Sequence, residues 1–479
     1  MIEKRDFYIN GQWVAPAQSN DFEVIDPSTE EPCAIISLGG EADTNAAVAA
    51  AKAALPGWMA TPVEDRIAMV EKLAEIYNTR GEDLAQAMSA EMGAPIDMAR
   101  SQQFGAGGYH LKNFVRAARA FEFDRPLNDR SPNDRLIFEA VGVAALITPW
   151  NWPLNQITLK VGAAAVAGCT MVLKPSEQSP LNAMIFAEMM DEAGFPAGVF
   201  NLVNGDGVGV GSTLSGHPDV DMVSFTGSTR AGTAISKNAA DTLKKVHLEL
   251  GGKGANVVFA DADEKAVKRG VMHMMNNTGQ SCNAPSRMLV QREIYDQAVE
   301  IAAATASKLT VGSAHDEGRH IGPVVNELQF NKIQALIQVG IDEGARLVAG
   351  GTGRPEGINQ GFFVKPTVFA DVNNDMTIAR EEIFGPVLAM IPFDTEADAI
   401  AIANDTPYGL TNYVQTQDGA RANRMARALR SGMVEMNGQA RSAGSPFGGM
   451  KQSGNGREGG IFGIEDFLEV KAVGGWAAE

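Results

Sequence analysis

Short apolar runs alternate with longer stretches of helical pattern along most of the chain. In the first half, the strand candidates are 141–147, 170–173, 199–203 and 222–225, and helices are predicted over 151–168 and 180–193. Strands of a parallel sheet are buried on both faces and are therefore continuously apolar. The alternation is typical of βαβ units and predicts a parallel sheet covered by helices.

The same pattern restarts after residue 250. The strand candidates there are 255–259, 287–290, 347–349, 387–391 and 412–414, with helical stretches between them. A chain of 479 residues is also too long for one compact core. We therefore expect an α/β protein with two doubly wound α/β domains, one built from 1–117 and 141–249 and the other from 250–452.

Residues 118–140 differ from both halves. Two apolar runs, Phe121–Phe123 and Leu136–Phe138, flank a polar turn, and this pattern predicts a long exposed β-hairpin. The run Phe467–Val473 is also strand-like. An apolar hairpin outside a core usually pairs with something else. The segments 118–140 and 453–479 are therefore predicted to form a bridging oligomerisation arm, with an ordinary intradomain hairpin as the alternative.

Composition excludes several classes of protein. The formal net charge of −18 repels phosphates, so no nucleic-acid partner is expected. Three cysteines give no disulfide framework, and no signal-peptide or membrane-spanning run is present. These features predict a cytoplasmic protein without a membrane partner. The six histidines have no metal-ligand spacing, so no metal is expected.

Two side chains are candidates for covalent and acid–base chemistry. Cys282 lies in a loop between a Gly-Gln pair and Pro285, a context that suits a nucleophile. Cys33 and Cys169 fit the more common role of small core residues. Glu249 ends an apolar strand beside two glycines, where a buried carboxyl with a raised pKa could act as a base; a surface acid is the alternative.

Strand ends supply further polar groups. Asn151 follows the strand 141–147 and offers an amide donor for an oxyanion. Gly227 and Ser228 close the strand 222–225 and open a helix, whose N-terminus can hold a phosphate. The glycine-rich stretch 207–211 does not match the full dinucleotide fingerprint and is interpreted as a turn.

Taken together, these segments resemble the aldehyde dehydrogenase superfamily in its hydrolytic branch, which does not acylate CoA. The resemblance covers nearly the whole chain and keeps the family's motif order. The matching motifs are Pro149–Asn151, Lys174–Glu177, Phe225–Ser228, Glu249–Lys253, Gly279–Cys282, Glu381–Pro386 and Pro446–Gly449. The resemblance implies oxidation of an aldehyde to a carboxylic acid, with NAD as cofactor and NADP as a weaker alternative. It also implies a Rossmann-like cofactor domain, a catalytic domain, a bridging hairpin and a homodimer or homotetramer.

The resemblance also assigns residues to roles. It implies that Cys282 attacks the aldehyde, that Asn151 holds the oxyanion and that Glu249 activates water, while Lys160 lies on a proton relay or in a structural ion pair. The implied cofactor contacts include Lys174 and Glu177 at the adenosine ribose, Ser228 at the pyrophosphate, Glu382 at the nicotinamide ribose and Phe384 beside the nicotinamide, with Thr148, Trp150, Gly227 and Leu250 nearby.

The substrate tunnel is assigned by alignment to the same motifs. Its implied lining is Trp152, Asn155, Gln156, Leu159, Ser281, Asn283, Arg441 and Phe447. Arg441 could clamp a distal carboxylate, which would indicate an ω-oxo acid or semialdehyde as substrate. The alternatives are that Arg441 points to solvent or pairs with an acid of a neighbouring subunit.

Two other functions stay open at this point. A CoA-acylating semialdehyde dehydrogenase is disfavoured because Glu249 is present, whereas that branch typically lacks this glutamate. A binding or structural protein on a retired enzyme fold is disfavoured because every catalytic position of the motifs is intact. The sequence does not identify the physiological aldehyde.

Overall fold

The computed structural model describes residues 1–476. Its helices are α1 (Glu41–Ala60), α2 (Val63–Thr79), α3 (Gly81–Met92), α4 (Ile96–Met98), α5 (Phe104–Ala120), α6 (Pro153–Ala167), α7 (Leu181–Ala193), α8 (Ser212–Gly216), α9 (Thr229–Ala239), α10 (Ala266–Met275), α11 (Tyr295–Ala306), α12 (Glu327–Asp342), α13 (Thr377–Arg380), α14 (Glu396–Asn404), α15 (Gly419–Ala428) and α16 (Gly460–Asp466).

The strands form four sheets. They are β1 (Ile2–Lys4), β2 (Phe7–Ile9), β3 (Gln12–Val14), β4 (Asp21–Asp26), β5 (Glu31–Ser37), β6 (Asp124–Asn128), β7 (Ser131–Ala140), β8 (Val143–Ile147), β9 (Thr170–Lys174), β10 (Phe200–Leu202), β11 (Met222–Thr226), β12 (Lys245–Glu249), β13 (Ala255–Val258), β14 (Arg287–Gln291), β15 (Arg346–Ala349), β16 (Thr367–Ala370), β17 (Val387–Phe393), β18 (Thr411–Gln415), β19 (Met433–Met436), β20 (Gly454–Asn455) and β21 (Leu468–Val473).

The first large sheet has the order β20-β12-β11-β8-β9-β10-β2-β3. Its central strands from β12 to β10 run parallel, and β20, β2 and β3 add antiparallel edges. The chain winds from β8 to β9 and β10 on one side, and later to β11 and β12 on the other. The switch point therefore lies between β8 and β11, where open α/β sheets bind ligands at the carboxyl ends of their strands.

The second large sheet has the order β15-β16-β17-β14-β13-β18-β19. All of its neighbouring strands run parallel except β15 and β16. Two mostly parallel sheets with helices confirm the predicted α/β class. Strands β16 and β19 were not predicted from the sequence, and β1, β4 and β5 form a small separate sheet.

The predicted hairpin is present as β6 and β7, and β21 pairs with β7 along its length from Leu468 opposite Ala140 to Val473 opposite Arg135. The prediction placed its start too early, because residues 118–120 complete the last turn of α5. Within 453–479, β20 joins the first large sheet, and residues 477–479 lie outside the described chain.

Helix α6 occupies the core directly behind the site. Pro153 starts it at a position where a missing N–H costs nothing, and Gly168 ends it with φ +93 in the left-handed region. Its small apolar residues are buried on all sides of the helix, which fixes Lys160 and the side chains of its first turns.

The glycine-rich stretch differs from its prediction. Gly207–Gly211 is a π-helical turn that leads into α8, and the carboxylate of Asp206 caps it by accepting a hydrogen bond from the Gly209 N–H at 2.6 Å. The predicted turn is therefore a single π-helical turn that continues into α8. No helix among the described residues is long and apolar enough to cross a membrane.

Candidate active site

Two cavities meet at Cys282. One, of about 220 Å³, opens at the carboxyl ends of β8, β11 and β12, and the other, of about 320 Å³, lies between α5, α6 and the segment after β19. Their linings share Gln156 and Cys282. The site therefore combines the carboxyl edge of the first large sheet with loops that enter or leave strands of the second.

The loop before Cys282 is tightly constrained. Asn277 and Thr278 have φ values of +50 and +55, a strained conformation for residues with a side chain. Gly279 follows at φ +72, and a Cβ there would lie 2.2 Å from the carbonyl oxygen of Gly385. Gln280 then accepts a hydrogen bond from the Val325 N–H at 3.0 Å. This packing fixes the position of the thiol that follows.

The Cys282 thiol is half-buried and surrounded by acids. Burial raises its pKa, and the carboxylates of Glu249, Glu382 and Glu458 raise it further. The resting side chain is therefore a neutral thiol that needs a base to become a nucleophile.

The other two cysteines belong to the first hydrophobic core or pack against it. Cys169 is fully buried, with Sγ 3.4 Å from the carbonyl oxygen of Phe467. Cys33 lies against the carbonyl oxygen of Val24 at 3.3 Å. Neither lines a cavity that contains Cys282.

Asn151 lies beside the thiol loop. It follows the end of β8, is 6% exposed, and donates one amide hydrogen of Nδ2 to the carbonyl oxygen of Gln280 at 3.0 Å. The backbone carbonyl oxygen of Asn151 accepts hydrogen bonds from the side-chain amides of Gln103 and Asn277. An amide nitrogen carries two hydrogens, so this anchoring leaves one donor of Asn151 for a ligand.

Glu249 ends β12 and lines the cofactor-side cavity. It is 2% exposed, and neither carboxyl oxygen has a hydrogen-bond partner among the described residues. Burial raises its pKa, Glu458 adds to the effect, and His247 and Lys160 oppose it. The group is thus a buried carboxyl that titrates above its usual range, as a base working near neutral pH requires.

Lys160 forms a buried ion pair with Glu458. Its Nζ lies 2.5 Å from Oε1 of Glu458, and both side chains are almost completely buried. Glu458 also lines the substrate-side cavity and pairs backbone to backbone with Phe447. The two interpretations of Lys160 are therefore compatible, because the ion pair itself lies beside the reacting groups.

The cofactor-side cavity gathers most of the residues assigned to the dinucleotide. Its lining includes Trp150, Gly227, Ser228, Leu250, Glu382 and Phe384. Ser228 caps α9 by accepting a hydrogen bond from the Ala231 N–H at 3.2 Å, and Glu382 accepts from the Gly252 N–H at 2.9 Å. Trp150 and Phe384 contact edge to face with 5.5 Å between ring centroids.

Three assigned cofactor residues lie further along the first sheet and outside this lining. Thr148 is buried at the end of β8, and its hydroxyl has no partner among the described residues. Lys174 ends β9, and its Nζ donates to the carbonyl oxygens of Pro175 and Gly205 while lying 3.6 Å from Glu177. Burial lowers the pKa of Lys174.

The substrate-side cavity gathers seven of the eight residues assigned to the tunnel. The eighth, Ser281, lies behind the wall, where its hydroxyl accepts a hydrogen bond from Trp152 Nε1 at 2.7 Å. Gln156 accepts from the Thr226 hydroxyl at 3.0 Å.

Arg441 lines this cavity together with an acid of its own chain. Its Nε donates to Glu435 at 3.0 Å, Nη1 donates to the carbonyl oxygen of Pro446 at 3.1 Å, and the guanidinium lies 5.2 Å from the centroid of the Phe447 ring. The proposed alternatives, solvent or an acid of a neighbouring subunit, do not include this intrachain pair.

Comparison with known proteins now agrees with the geometry. The model of the aldehyde dehydrogenase family matches residues 13–473. The chain belongs to the aldehyde dehydrogenase family. It is 50% identical over 478 residues, 99% of each chain, to a 3-succinoylsemialdehyde-pyridine dehydrogenase of Pseudomonas sp. The predicted family and oxidoreductase class are confirmed.

Two crystal structures share this aldehyde dehydrogenase fold. An aldehyde dehydrogenase from Bartonella henselae is 58% identical, with a TM-score of 0.99 over 99% of this chain and 100% of that one. A mutant aldehyde dehydrogenase from Pseudomonas syringae, in complex with NAD+ and octanal, is 48% identical, with a TM-score of 0.97 over 99% and 97% of the two chains.

Sequence reasoning missed one wall of the substrate-side cavity. Tyr109, His110 and Asn113 of α5 line it, as does Glu435. His110 Nε2 lies 2.7 Å from Asn155 Oδ1, and burial lowers its pKa to about 4, so the ring is neutral and donates to this oxygen. The polar positions 109, 110 and 113 share one face of a helical segment, and that spacing was the available signal.

Proposed function

We propose that the chain oxidises an aldehyde to a carboxylic acid, with NAD as hydride acceptor and Cys282 as nucleophile. The observation that carries this proposal is the meeting of two separate cavities at one cysteine. A substrate would reach Cys282 from one side and a nicotinamide from the other. The aldehyde carbon would then lie next to both the sulfur and the nicotinamide, as a hydride transfer requires.

The first step joins Cys282 to the aldehyde. The thiol proton of Cys282 passes to solvent, the sulfur attacks the carbonyl carbon, and a thiohemiacetal anion forms. The free amide hydrogen of Asn151 and the backbone N–H of Cys282 hold the developing oxyanion. NAD, when bound, supplies the acceptor for the hydride that leaves this carbon.

The second step releases the acid. Loss of hydride converts the thiohemiacetal into a thioester on Cys282. Glu249 takes a proton from water, the hydroxide attacks the thioester carbon, and the carbon–sulfur bond breaks to give a carboxylic acid and the Cys282 thiolate. The raised pKa of Glu249 suits this step, because the carboxylate can take a proton from water and the carboxyl can later return it to the Cys282 thiolate.

The cofactor-side cavity has the features that a dinucleotide needs. Ser228 at the N-terminus of α9 suits a pyrophosphate, and Glu382 suits the hydroxyls of a ribose. The unpartnered hydroxyl of buried Thr148 is a further donor at the same sheet edge. Glu177, whose side chain is 29% exposed, would accept hydrogen bonds from the adenosine ribose and repel a 2′-phosphate, which favours NAD over NADP.

The substrate that fits best is a medium-length aldehyde with an apolar or aromatic body. Trp152, Tyr109 and Phe447 supply apolar walls along the substrate-side cavity. An ω-oxo acid or semialdehyde is the second candidate, because the guanidinium of Arg441 lies in the same wall. Since Glu435 already neutralises Arg441, the preference for such a carboxylate is expected to be small in the natural chain.

The three-stranded sheet of β6, β7 and β21 is proposed as the arm through which subunits associate. Leu127 and Val470 are 44% and 58% exposed on it, and β6 has a free edge in the described chain. An exposed apolar edge of this kind is usually covered by another strand. Sedimentation analysis of wild type and Val470→Asp tests this, and an unchanged oligomeric state would contradict the assignment.

The central test is the formation of reduced cofactor from an aldehyde panel by wild type, Cys282→Ala and Cys33→Ala. We expect full loss of turnover with retained NAD binding for Cys282→Ala, and wild-type turnover for the matched control. Substantial activity of Cys282→Ala would exclude it as nucleophile. A requirement for added CoA would indicate the acylating branch instead.

A further inference from the structure

A second pair of ionisable groups lies behind Glu249. His247 precedes it by two residues on β12, so both side chains point to the same face of the strand. The ring nitrogen Nε2 of His247 lies 3.6 Å from Oε1 of Glu249, and Nδ1 lies 2.8 Å from Oδ2 of Asp466. The imidazole therefore lies between the reacting carboxyl and a second carboxylate from α16, close enough for charge attraction although neither ring nitrogen has a hydrogen bond of good geometry among the described residues.

The fold is built closely around this imidazole. His247 is 3% exposed, and a Cβ on Gly456 would lie 3.0 Å from its ring. Asp466 also accepts a hydrogen bond from the Arg457 N–H at 2.8 Å, which fixes the carboxylate on the far side of the ring. The imidazole has little room to turn away from Glu249.

The charges around the imidazole favour a protonated ring. Asp466, Glu249 and Glu458 are the acids that face it, and burial opposes their effect. Burial lowers the pKa of His247, but the carboxylates of Asp466 and Glu249 outweigh this effect and raise the pKa to about 9.

The other cationic side chains near Glu249 are bound to other groups. Lys160 is paired with Glu458, and the Arg457 guanidinium donates to the carbonyl oxygens of Gly449 and Gly456. Lys245, at the start of β12, lies near Asp466 rather than near Glu249. Cys282 and Glu382, on the cofactor side, are neutral or acidic neighbours. His247 is thus the cation closest to an oxygen of Glu249 that has no hydrogen-bond partner among the described residues.

We propose that His247, held as an imidazolium by Asp466, is a positioning residue that favours the anionic form of the Glu249 carboxyl group over its protonated form. Two buried carboxyl groups, Glu249 and Glu458, would otherwise share the single positive charge of Lys160. With the imidazolium present, a larger fraction of Glu249 is anionic at neutral pH and can take the proton of the attacking water. The inference rests on the proposed role of Glu249 in thioester hydrolysis.

The test is the pH dependence of thioester hydrolysis in wild type, His247→Gln and Asp466→Asn. An opposite charge at this distance shifts a carboxyl pKa by about one to three units. We therefore expect the acidic limb of the hydrolysis rate to move upward by at least about one pH unit in both variants. At pH 7 the steady-state rate should fall about tenfold, while the initial burst of reduced cofactor stays or grows.

The matched control is His315→Gln. His315 forms a comparable pair with Asp26, with Nε2 2.6 Å from Oδ2, and lines neither cavity at Cys282. The His315→Gln variant should leave the acidic limb of the hydrolysis rate unchanged. If His247→Gln does not fold, Asp466→Asn decides alone, because Asp466 is 23% exposed and asparagine has the same shape.

An unchanged acidic limb in a folded variant would overturn the inference and leave the proposed function standing. Failure of the wild type to form reduced cofactor from any aldehyde would overturn both.

Discussion

Replacing Glu435 by glutamine should turn Arg441 into a carboxylate clamp. In the natural chain, Nε of Arg441 donates a hydrogen bond to Glu435 at 3.0 Å, and Nη1 donates one to the carbonyl oxygen of Pro446. The pair is therefore close to neutral toward an incoming ligand. Glu435→Gln removes the negative charge, keeps the side-chain volume and leaves a net positive charge in the wall of the substrate-side cavity.

The size of the effect follows from the exposure of the pair. A hydrogen bond to a charged group contributes about 1.5–3 kcal/mol. The lower end applies here, because the Arg441 side chain is 27% exposed and solvent screens it. A gain of about 1.4 kcal/mol corresponds to a tenfold change in specificity constant.

The assay compares kcat/KM for 6-oxohexanoate and hexanal. The ratio should rise about tenfold in Glu435→Gln and should fall below the wild-type value in Arg441→Ala. In the double variant it should return to about the wild-type value, because Glu435 also lines the cavity and neither charge of the pair is then left in its wall. Equal ratios in all four proteins would refute the clamp and leave a general aldehyde dehydrogenase as the better description.

Three further predictions concern single side chains. Glu249→Gln should slow thioester hydrolysis more than acylation, so a burst of reduced cofactor should appear or grow in stopped flow; equal slowing of both phases would argue against its role as the base. Because the pKa of Cys282 is raised, its alkylation by iodoacetamide should still climb through about pH 9 without a plateau; a plateau below neutral pH would contradict the acidic environment. Glu177→Gln should narrow the NAD over NADP preference in kcat/KM, and an unchanged preference would separate Glu177 from the adenosine ribose.

The parts of the fold that follow from local pattern were predictable. The central strands were predicted from continuous apolar runs, because a strand that is buried on both faces is apolar at nearly every position. Strand β19 escaped prediction because only Met433 is buried in it and the other three residues are partly exposed. The left-handed backbone conformation of Asn277 and Thr278 could not be predicted from the sequence either, since neither residue type requires a positive φ.

The candidate site was predictable only where motifs carry it. Cys282, Glu249 and Asn151 each follow or precede a strand, and the sheets bring those ends together. His247 was passed over as a scattered histidine, because its partner Asp466 lies more than two hundred residues away and only the folded chain brings the two side chains together. The intrachain partner of Arg441 was missed for a different reason, since Glu435 lies in an unpredicted strand.

The separation of the two cavities also bears on how such a protein can diversify. Related genes could change the residues of α5 and of the segment after β19 while keeping the contacts of the cofactor-side cavity. Within residues 1–476, the two linings share only Gln156 and Cys282. New aldehydes would then be acquired without re-evolving the redox half of the reaction. The same division lets a laboratory library randomise Tyr109, Asn113 and Arg441 together and screen every variant with one cofactor readout.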